Sequence, residues 1–210
     1  MKKNKIKFID KRSVFIDKNV LIGNNVVIYP NNFILGNTEI KDGVVLMPNN
    51  CIVDSVIGEK TQIEFSHIEK SEVGCNCLIG PFSRLRPNTT IGNNCKIGNF
   101  VEVKNSSLGD GTKASHLAYI GDAQIGKNCN IGCGAIFVNY NGKKKNKTIV
   151  GDDCFIGSNS NIIAPVNIAK NSYVCAGTTL TVDTQENDFI IGRTRETIKH
   201  NYSSKYKKEN

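Results

Sequence analysis

The residues best suited to chemistry in this sequence are two cations and one histidine, all within positions 86–140. Arg86 and Lys104 are 18 positions apart (104 − 86 = 18), and His116 follows soon after them. Two cations at a fixed spacing suit a phosphate or a similar anion. A neutral imidazole, with an ordinary pKa of about 6.5, can accept a proton at pH 7. The alternative interpretation is that these residues are solvated surface charges. Which interpretation holds depends on where the secondary-structure elements place the three side chains.

An aliphatic residue recurs every six positions along most of the chain, and it is often followed by Gly. A step of six does not stay on one face of a helix with 3.6 residues per turn, whereas it fits a short strand plus a turn. The position four after the aliphatic residue is usually Cys, Ser or Thr, which suits an inward side chain beside a tight corner. The sequence therefore predicts an all-β solenoid with three short strands and about 18 residues per coil. The repeat is held by Ile22, Ile28, Ile34, Ile40, Leu46 and Ile52, by Val73, Ile79, Leu85, Ile91, Ile97 and Val103, and by Val150, Ile156, Ile162, Ile168, Val174 and Leu180.

The repeat divides the chain into three parts. Residues 1–17 lack the full pattern and are predicted to form a lead-in or cap, and residues 18–181 form the solenoid. The spacing between Phe137 and Val150 is longer than six, which predicts a lysine-rich loop at 139–149. Interruptions of a solenoid tend to lie on its functional face. Residues 182–210 are predicted to cross back over the solenoid and to end in a polar, basic tail.

Composition argues against several classes of function. The net charge of +8 is concentrated at the two ends rather than interleaved with aromatic residues on one face, which disfavours nucleic-acid binding. No apolar run approaches the roughly 18 residues of a membrane span, and no signal peptide is recognisable, so a cytoplasmic location is expected. The eight cysteines lack zinc spacing, and four of them, Cys77, Cys95, Cys129 and Cys154, fall on the small-residue slot of the repeat, so we expect packed, reduced thiols and no metal. A zinc site of three histidines is also disfavoured, because the only candidates are His67, His116 and His200.

Stacking of the coils predicts which side chains are neighbours. We name the three sides of the solenoid face A, starting at Ile79, face B, starting at Leu85, and face C, starting at Ile91. Arg86 and Lys104 then point outward on face B, one coil and about 4.8 Å apart. The residues two positions after the face-A aliphatic residues form a column along the edge between faces A and B, namely His116, Cys133, Ser158 and Ala176.

Two further polar residues are predicted near this edge. Tyr119 lies on face B just past it, and Asn130 lies one coil above His116. The imidazole, the two cations, the tyrosine and the carboxamide are therefore predicted to converge on one corner of the solenoid.

At these residues the sequence resembles a known family. The motifs, in order, are IGPFSRLRPN (79–88), IGNFVEVK (97–104), SHLAYIGDAQIG (115–126), NIGCGAIF (130–137), NYNGKKKNKT (139–148) and IVGDDCFIGSNSNIIAPV (149–166). They are similar to the acetyltransferase half of the bifunctional N-acetylglucosamine-1-phosphate uridyltransferase/glucosamine-1-phosphate N-acetyltransferase family. The resemblance covers nearly the whole chain, and it implies a left-handed parallel β-helix.

The resemblance also implies an activity, a cofactor and an assembly. It implies acetyl transfer from acetyl-CoA to glucosamine-1-phosphate, a step towards the cell-wall precursor UDP-N-acetylglucosamine, with no metal required. His116 would be the general base. The sugar phosphate would be held by Arg86 and Lys104, and the acceptor site would be completed by Tyr119, Asn130 and Lys145. The acetyl-CoA groove would be lined by Asn139, Tyr140, Ser158, Ala176 and Arg193, with the backbone N–H of Cys133 meeting the thioester oxygen.

The family is trimeric with active sites between subunits, so a homotrimer is expected in which the loop at 139–148 reaches a neighbour. Three departures from the family pattern are visible. No glycine-rich nucleotide motif precedes residue 13, so uridyltransferase activity is not expected. Cys133 stands where a smaller residue is usual and would narrow the groove. The tail lacks the family's Trp-containing basic end. Acetyl transfer to another amino sugar or sugar nucleotide, and a non-catalytic assembly or sensor subunit, are the alternative functions.

Overall fold

A computed structural model describes residues 5–206 as a parallel β-helix, as the repeat predicts. Every strand pairing within these residues is parallel, apart from one isolated bridge in the loop. Nine strands form one sheet, which is face C. The other sheet contains faces A and B, because the strands Lys96–Lys104 and Lys113–Gly121 run through the edge between them without a break. The predicted all-β, left-handed β-helix is confirmed.

The strands of each face follow one another up the solenoid. Face A contains Lys7–Phe8, Val27–Ile28, Val45–Leu46, Gln62–Ile63, Leu78–Ile79, the first parts of Lys96–Lys104 and Lys113–Gly121, Asn130–Ile131, Phe155–Ile156, Tyr173–Val174 and Phe189–Ile190. Face B contains Val14–Ile16, Asn32–Leu35, Cys51–Val53, His67–Glu69, Arg84–Leu85, the second parts of the same two long strands, Ile136–Val138, Asn161–Ile163 and Thr179–Leu180. Face C contains Leu21–Ile22, Glu39–Ile40, Val56–Ile57, Ser71–Val73, Thr89–Ile91, Ser107–Leu108, Ala123–Ile125, Thr148–Val150 and Val166–Ile168. Two short 3-10 helices lie at Lys11–Ser13 and Ser203–Tyr206.

The core is a set of three aliphatic columns, one behind each face. On face A, Ile79 pairs with Ile97, which pairs with Ala114, and the column continues upward in the same register. Leu85 and Val103 begin the corresponding pairs on face B. These side chains are at most 2% exposed. The predicted register is confirmed along all three faces.

A ladder of small side chains closes the edge between faces C and A. Thr61 donates its hydroxyl hydrogen to the carbonyl of Gly74 at 2.7 Å, and Cys77 Sγ lies 3.0 Å from the carbonyl of Gly92. The same pattern continues at Cys95. Each of these small groups satisfies a carbonyl of the coil above it, which an aliphatic side chain cannot do. All eight cysteines are free thiols, and within residues 5–206 no group of three or more His, Cys, Asp or Glu is arranged to hold a metal.

Both ends of the described chain take part in the stack. Lys7–Phe8 pairs with Val27–Ile28, so the lead-in already forms a coil. At the other end, Phe189–Ile190 pairs with Tyr173–Val174, and the segment before it continues the coil instead of crossing back over the solenoid. None of the helical segments between residues 5 and 206 has the length and apolar character that a membrane crossing requires.

Candidate active site

The two predicted cations, Arg86 and Lys104, occupy equivalent positions on successive coils of face B. Leu85 pairs with Val103, and the N–H of Arg86 donates to the carbonyl of Val103 at 2.8 Å. Lys104 follows Val103 directly, and it pairs in turn with Gly121 on the next coil. Because strands in a sheet lie about 4.8 Å apart, the two side chains leave the surface as neighbours.

Arg86 has an acidic partner that the sequence did not reveal. Its guanidinium donates to Glu102 at 2.8 Å, and both side chains are about one-third exposed. The hydrogen bond to Glu102 raises the pKa of Arg86. A half-exposed ion pair of this kind contributes at most about 1 kcal/mol. Glu102 therefore orients the guanidinium at low cost, and the remaining N–H donors of Arg86 are available to an anion.

The lysine-rich loop folds back on its own chain. An antiparallel bridge joins Tyr140 to Lys145, and the hydroxyl of Tyr140 donates to the carbonyl of Gly142 at 2.7 Å. The side-chain oxygen of Asn141 accepts the backbone N–H groups of Lys143 and Lys144. The sequence predicted a projecting loop, but periodicity carries no information on how an insertion folds.

Folding of the loop brings Lys145 beside Lys104. The close contact with Lys104 lowers the pKa of Lys145, while Asp122 and Tyr119 act in the opposite direction. A cavity of about 260 Å³ adjoins the pair and is lined by Asn105, Asp122, Lys145, Asn146 and Lys147. Two ammonium groups in contact repel each other, so an anion bound between them would lower the free energy of this arrangement.

Tyr119 lies across face B because Gly121 leaves room for it. A Cβ atom at Gly121 would stand 2.5 Å from the Tyr119 hydroxyl oxygen and 2.8 Å from Nδ2 of Asn139. Asn139 is only 7% exposed, and its Nδ2 lies 3.5 Å from the Tyr119 hydroxyl and also donates to Asp122. The structure thus gives the Asn139 side chain a position beneath the loop, whereas the family resemblance implies a place in the acetyl-CoA groove.

His116 lies at the edge between faces A and B, paired with Asn99 and exposed to solvent. The pairs that join Ala114, Ile131, Ile156 and Val174 confirm the predicted column. The column above His116 consists of exposed residues, namely Cys133, Ser158 and Ala176. Within residues 5–206, the backbone N–H groups of these three residues donate no hydrogen bond. Arg193 caps the column, because its guanidinium donates to the carbonyl of Ala176 at 3.1 Å.

The predicted residues form two groups instead of meeting at one corner. Gly121, the partner of Lys104, lies five positions after His116 on the same strand, which is a path of at most about 16 Å. Asn130 points outward on face A, between Lys113 below and Phe155 above. The edge therefore carries the imidazole and the column, and face B carries the cations.

Sequence reasoning did not identify Glu102, Asn105 and Asp122. Each lies inside or directly beside a quoted motif, and this position was the feature of the sequence that could have identified it. Periodicity assigned Glu102 to the outer surface, where a charged residue needs no explanation. The structure gives it a partner.

Family models match two parts of the chain. The model described as bacterial transferase hexapeptide (six repeats) matches residues 70–105, and the model described as hexapeptide repeat of succinyl-transferase matches residues 147–182. The chain is 48% identical over 193 residues to the bifunctional protein GlmU of Clostridium beijerinckii, covering 92% of this chain and 42% of that protein. It is also 48% identical over 202 residues to the GlmU of Clostridioides difficile, covering 96% of this chain and 44% of that protein. The chain thus spans less than half the length of these relatives.

Solved structures with the same fold include two UDP-N-acetylglucosamine acyltransferases. The Arabidopsis enzyme has a TM-score of 0.63 and 18% sequence identity, covering 85% of this chain and 69% of that one. The Campylobacter jejuni enzyme has a TM-score of 0.55 and 16% identity, covering 87% of this chain and 69% of that one. At this level of identity the likeness concerns the fold alone.

Replacing Lys104 by Met should raise the pKa of Lys145, because contact with the Lys104 ammonium is the main cause of its lowered value. The pKa can be measured by NMR titration of 13C-methylated lysines, with Lys145→Arg assigning the signal. Lys113→Met on face A is the control and should leave the signal of Lys145 in place. An unchanged pKa in Lys104→Met would mean that the two ammonium groups are not in contact.

Proposed function

Because this chain belongs to the hexapeptide-repeat transferases and is homologous to the C-terminal part of the bifunctional GlmU proteins, we propose that it transfers the acetyl group of acetyl-CoA to the amine of glucosamine-1-phosphate. The observation that carries the acceptor assignment is the cation cluster on face B. Arg86, Lys104 and Lys145 gather there around an open surface. Clustered guanidinium and ammonium groups are well suited to a phosphate monoester.

The phosphate would lie between these cations and compensate their repulsion. Within residues 5–206, the Arg86 guanidinium donates to Glu102 alone, which fixes its direction and leaves most of its N–H donors for the phosphate. Tyr119 lies on the same face, paired with Glu102 of the coil below, and we assign it to the same ligand. Lys145 enters from the loop, so phosphate binding and loop conformation are linked.

The edge column supplies the acyl-donor side. An extended pantetheine arm carries two amide groups, and it would lie along Cys133, Ser158 and Ala176, whose backbone N–H groups point to solvent without a partner in residues 5–206. The column from His116 to Ala176 covers three coil steps, or about 14 Å. Arg193 at its upper end suits the anionic part of coenzyme A.

The reaction is a direct acyl transfer. The amine nitrogen attacks the thioester carbonyl, and His116 accepts the proton that the nitrogen loses. The backbone N–H of Cys133 stabilises the oxyanion of the tetrahedral intermediate. The carbon–sulfur bond then breaks, and the thiolate of coenzyme A takes up a proton, which leaves N-acetylglucosamine-1-phosphate and free coenzyme A.

One chain does not bring all of these groups together, and we propose a homotrimer that does. Asn130 points away from face A and the cations point away from face B, so a single convex prism cannot direct both at one sugar. The edge below His116 also carries an apolar ridge, which consists of Phe65, Phe82, Phe100 and Leu117, and these side chains are between 38% and 62% exposed. Exposed apolar patches of this kind mark interaction surfaces. Packing this edge against face B of a second copy would bury the ridge and place His116 near the cations.

Transfer to another amino sugar or to a sugar nucleotide is the second candidate reaction, and a non-catalytic subunit is the third possibility. A thiol-release assay with acetyl-CoA and a panel of amino-sugar phosphates separates them. Turnover that requires the 1-phosphate supports the proposal, turnover on other acceptors favours the second candidate, and no turnover on any acceptor favours the third.

His116→Ala should lower kcat by roughly 10²- to 10⁴-fold, because it removes the group that accepts the amine proton. The thiol-release rate at saturating substrates measures this. His67→Ala, which removes an exposed histidine lower on face B, should keep kcat within about twofold of wild type. Full activity in His116→Ala would exclude the general-base role.

Arg86→Ala should raise the KM for glucosamine-1-phosphate by about 10- to 100-fold, the value of one or two charge-assisted hydrogen bonds. The KM for acetyl-CoA should change little, since the edge column is untouched. Arg84→Ala is the matched control, because Arg84 is exposed on the same face two positions earlier. Equal KM values in wild type and Arg86→Ala would remove the acceptor assignment.

Phe100→Glu should dissociate the trimer and abolish acetyl transfer while leaving the coil folded, since Phe100 is 62% exposed in the single chain. Light scattering should give three times 23.0 kDa for wild type and 23.0 kDa for the variant. Ile149→Glu, on face C, should leave the mass unchanged. A trimer of Phe100→Glu with normal activity would show that the ridge lies outside the interface.

A further inference from the structure

Asp122 is a buried carboxylate that the reaction described above does not use. It directly follows the strand Lys113–Gly121, at the edge between faces B and C, and it is only 9% exposed. Its backbone has a φ of 50°, its N–H donates to the carbonyl of Lys104 at 3.0 Å, and its carbonyl accepts the N–H of Thr148 at 3.2 Å. A buried carboxylate is expensive unless every oxygen has a partner, so its contacts require an explanation.

Both carboxylate oxygens of Asp122 are occupied by amide donors. Oδ1 accepts Nδ2 of Asn105, and Oδ2 accepts Nδ2 of Asn139. Asn105 comes from the coil below and Asn139 from the coil above, so the carboxylate joins three successive coils. Lys145 and Lys147 line the same cavity as Asp122, and the negative charge of Asp122 favours the charged form of Lys145. Asp122 therefore lies under the place where Lys104 and Lys145 meet.

The lysine-rich loop is fixed at both ends. The loop begins at Asn139, whose side chain is held by Asp122 and whose carbonyl accepts the N–H of Asn146 at 2.7 Å. The chain returns to the solenoid at Thr148, which is bound to the carbonyl of Asp122. The carboxylate of Asp122 thus holds the first position of the loop that carries Lys145, whereas the last position is held by main-chain pairing between Thr148–Val150 and Ala123–Ile125.

We propose that Asp122 is a positioning residue, whose carboxylate anchors the lysine-rich loop through Asn139 and holds Lys145 beside Lys104 for the acceptor phosphate. The last part rests on the proposed function, because it assigns the phosphate to these lysines. The anchor itself is a property of the fold and can be tested without any substrate.

The first test is limited trypsin digestion of the intact chain, followed by mass spectrometry of cuts after Lys143, Lys144, Lys145 and Lys147. In Asp122→Asn the new amide group must face one of two amide donors, and the negative charge opposite Lys145 is lost. Cleavage in the loop should then be about tenfold faster than in wild type. Asp110→Asn is the matched control: Asp110 also accepts amide hydrogens from Asn93, but it lies on a different edge, and its loss should leave loop cleavage unchanged.

The second test compares the effect of the substitution on each KM with its effect on kcat. Asp122→Asn should raise the KM for glucosamine-1-phosphate by about tenfold, whereas kcat and the KM for acetyl-CoA should stay within about twofold. A merely structural role would lower the folded fraction and reduce kcat, with no selective change in one KM. Asp110→Asn should match wild type in all three constants.

The two tests separate the anchor from the activity. Faster loop cleavage in Asp122→Asn together with an inactive wild type would support the anchor and reject the proposed function. Wild-type cleavage and a wild-type KM in folded Asp122→Asn would overturn the proposal. If Asp122→Asn does not fold, Asn105→Ala is the variant to test, since it removes one partner of the carboxylate. It should raise the rate of loop cleavage and the KM for glucosamine-1-phosphate by smaller factors than Asp122→Asn. Wild-type values of both in Asn105→Ala would overturn the proposal.

Discussion

Hydrogen bonding between successive coils is the constraint on which the rest of the structure depends. Each strand pairs in parallel with the strands one coil below and one coil above it, so the chain rises by one strand spacing per coil. The aliphatic columns hold this register, because a slip of one residue would turn every inward side chain outward. Residues about 18 positions apart therefore become neighbours, and any functional group placed at that spacing is aligned without further contacts.

This constraint explains what the sequence could predict. The six-residue period yields the three faces, the alignment of Arg86 with Lys104, the edge column above His116 and the buried slot of small residues, all of which follow from backbone register. It does not yield the Glu102 ion pair, because two outward side chains on adjacent coils can pair or remain solvated with the same backbone. It also does not yield the loop conformation, which depends on Asn139 and Asp122, two polar residues that the period places at no special position. The partial coil ending at Phe189–Ile190 was missed because its aliphatic residues depart from the six-residue step.

The electrostatics of face B follow from stacking as well. Register places Arg86 and Lys104 one coil apart, and the loop adds Lys145, so three cations share a small area. Glu102 and Asp122 offset part of this repulsion, but they do so differently. Glu102 is partly exposed and can release Arg86 to a ligand at little cost, whereas Asp122 is buried and both its oxygens accept amide hydrogens, so it remains fixed. The two carboxylates thus reduce the repulsion between the three cations in the folded chain. Face B still carries an excess of positive charge that can attract an anion.

The shape of the prism limits what one copy can do. Along residues 5–206, flat faces and convex edges leave open cavities such as the one between coils beside Phe33, Phe65 and Phe82 and the one beside the loop. A catalytic site needs its groups on opposite sides of the substrate, and a convex body cannot supply both sides. If the site forms between copies, the edge of one subunit faces the flat side of the next. This arrangement agrees with the division of the implied residues, some of which lie at the edge and some on face B. In the proposed trimer, the apolar ridge and the edge that carries His116 form one continuous surface: burial of the ridge provides the association energy and sets the height at which His116 meets the cations of the next copy.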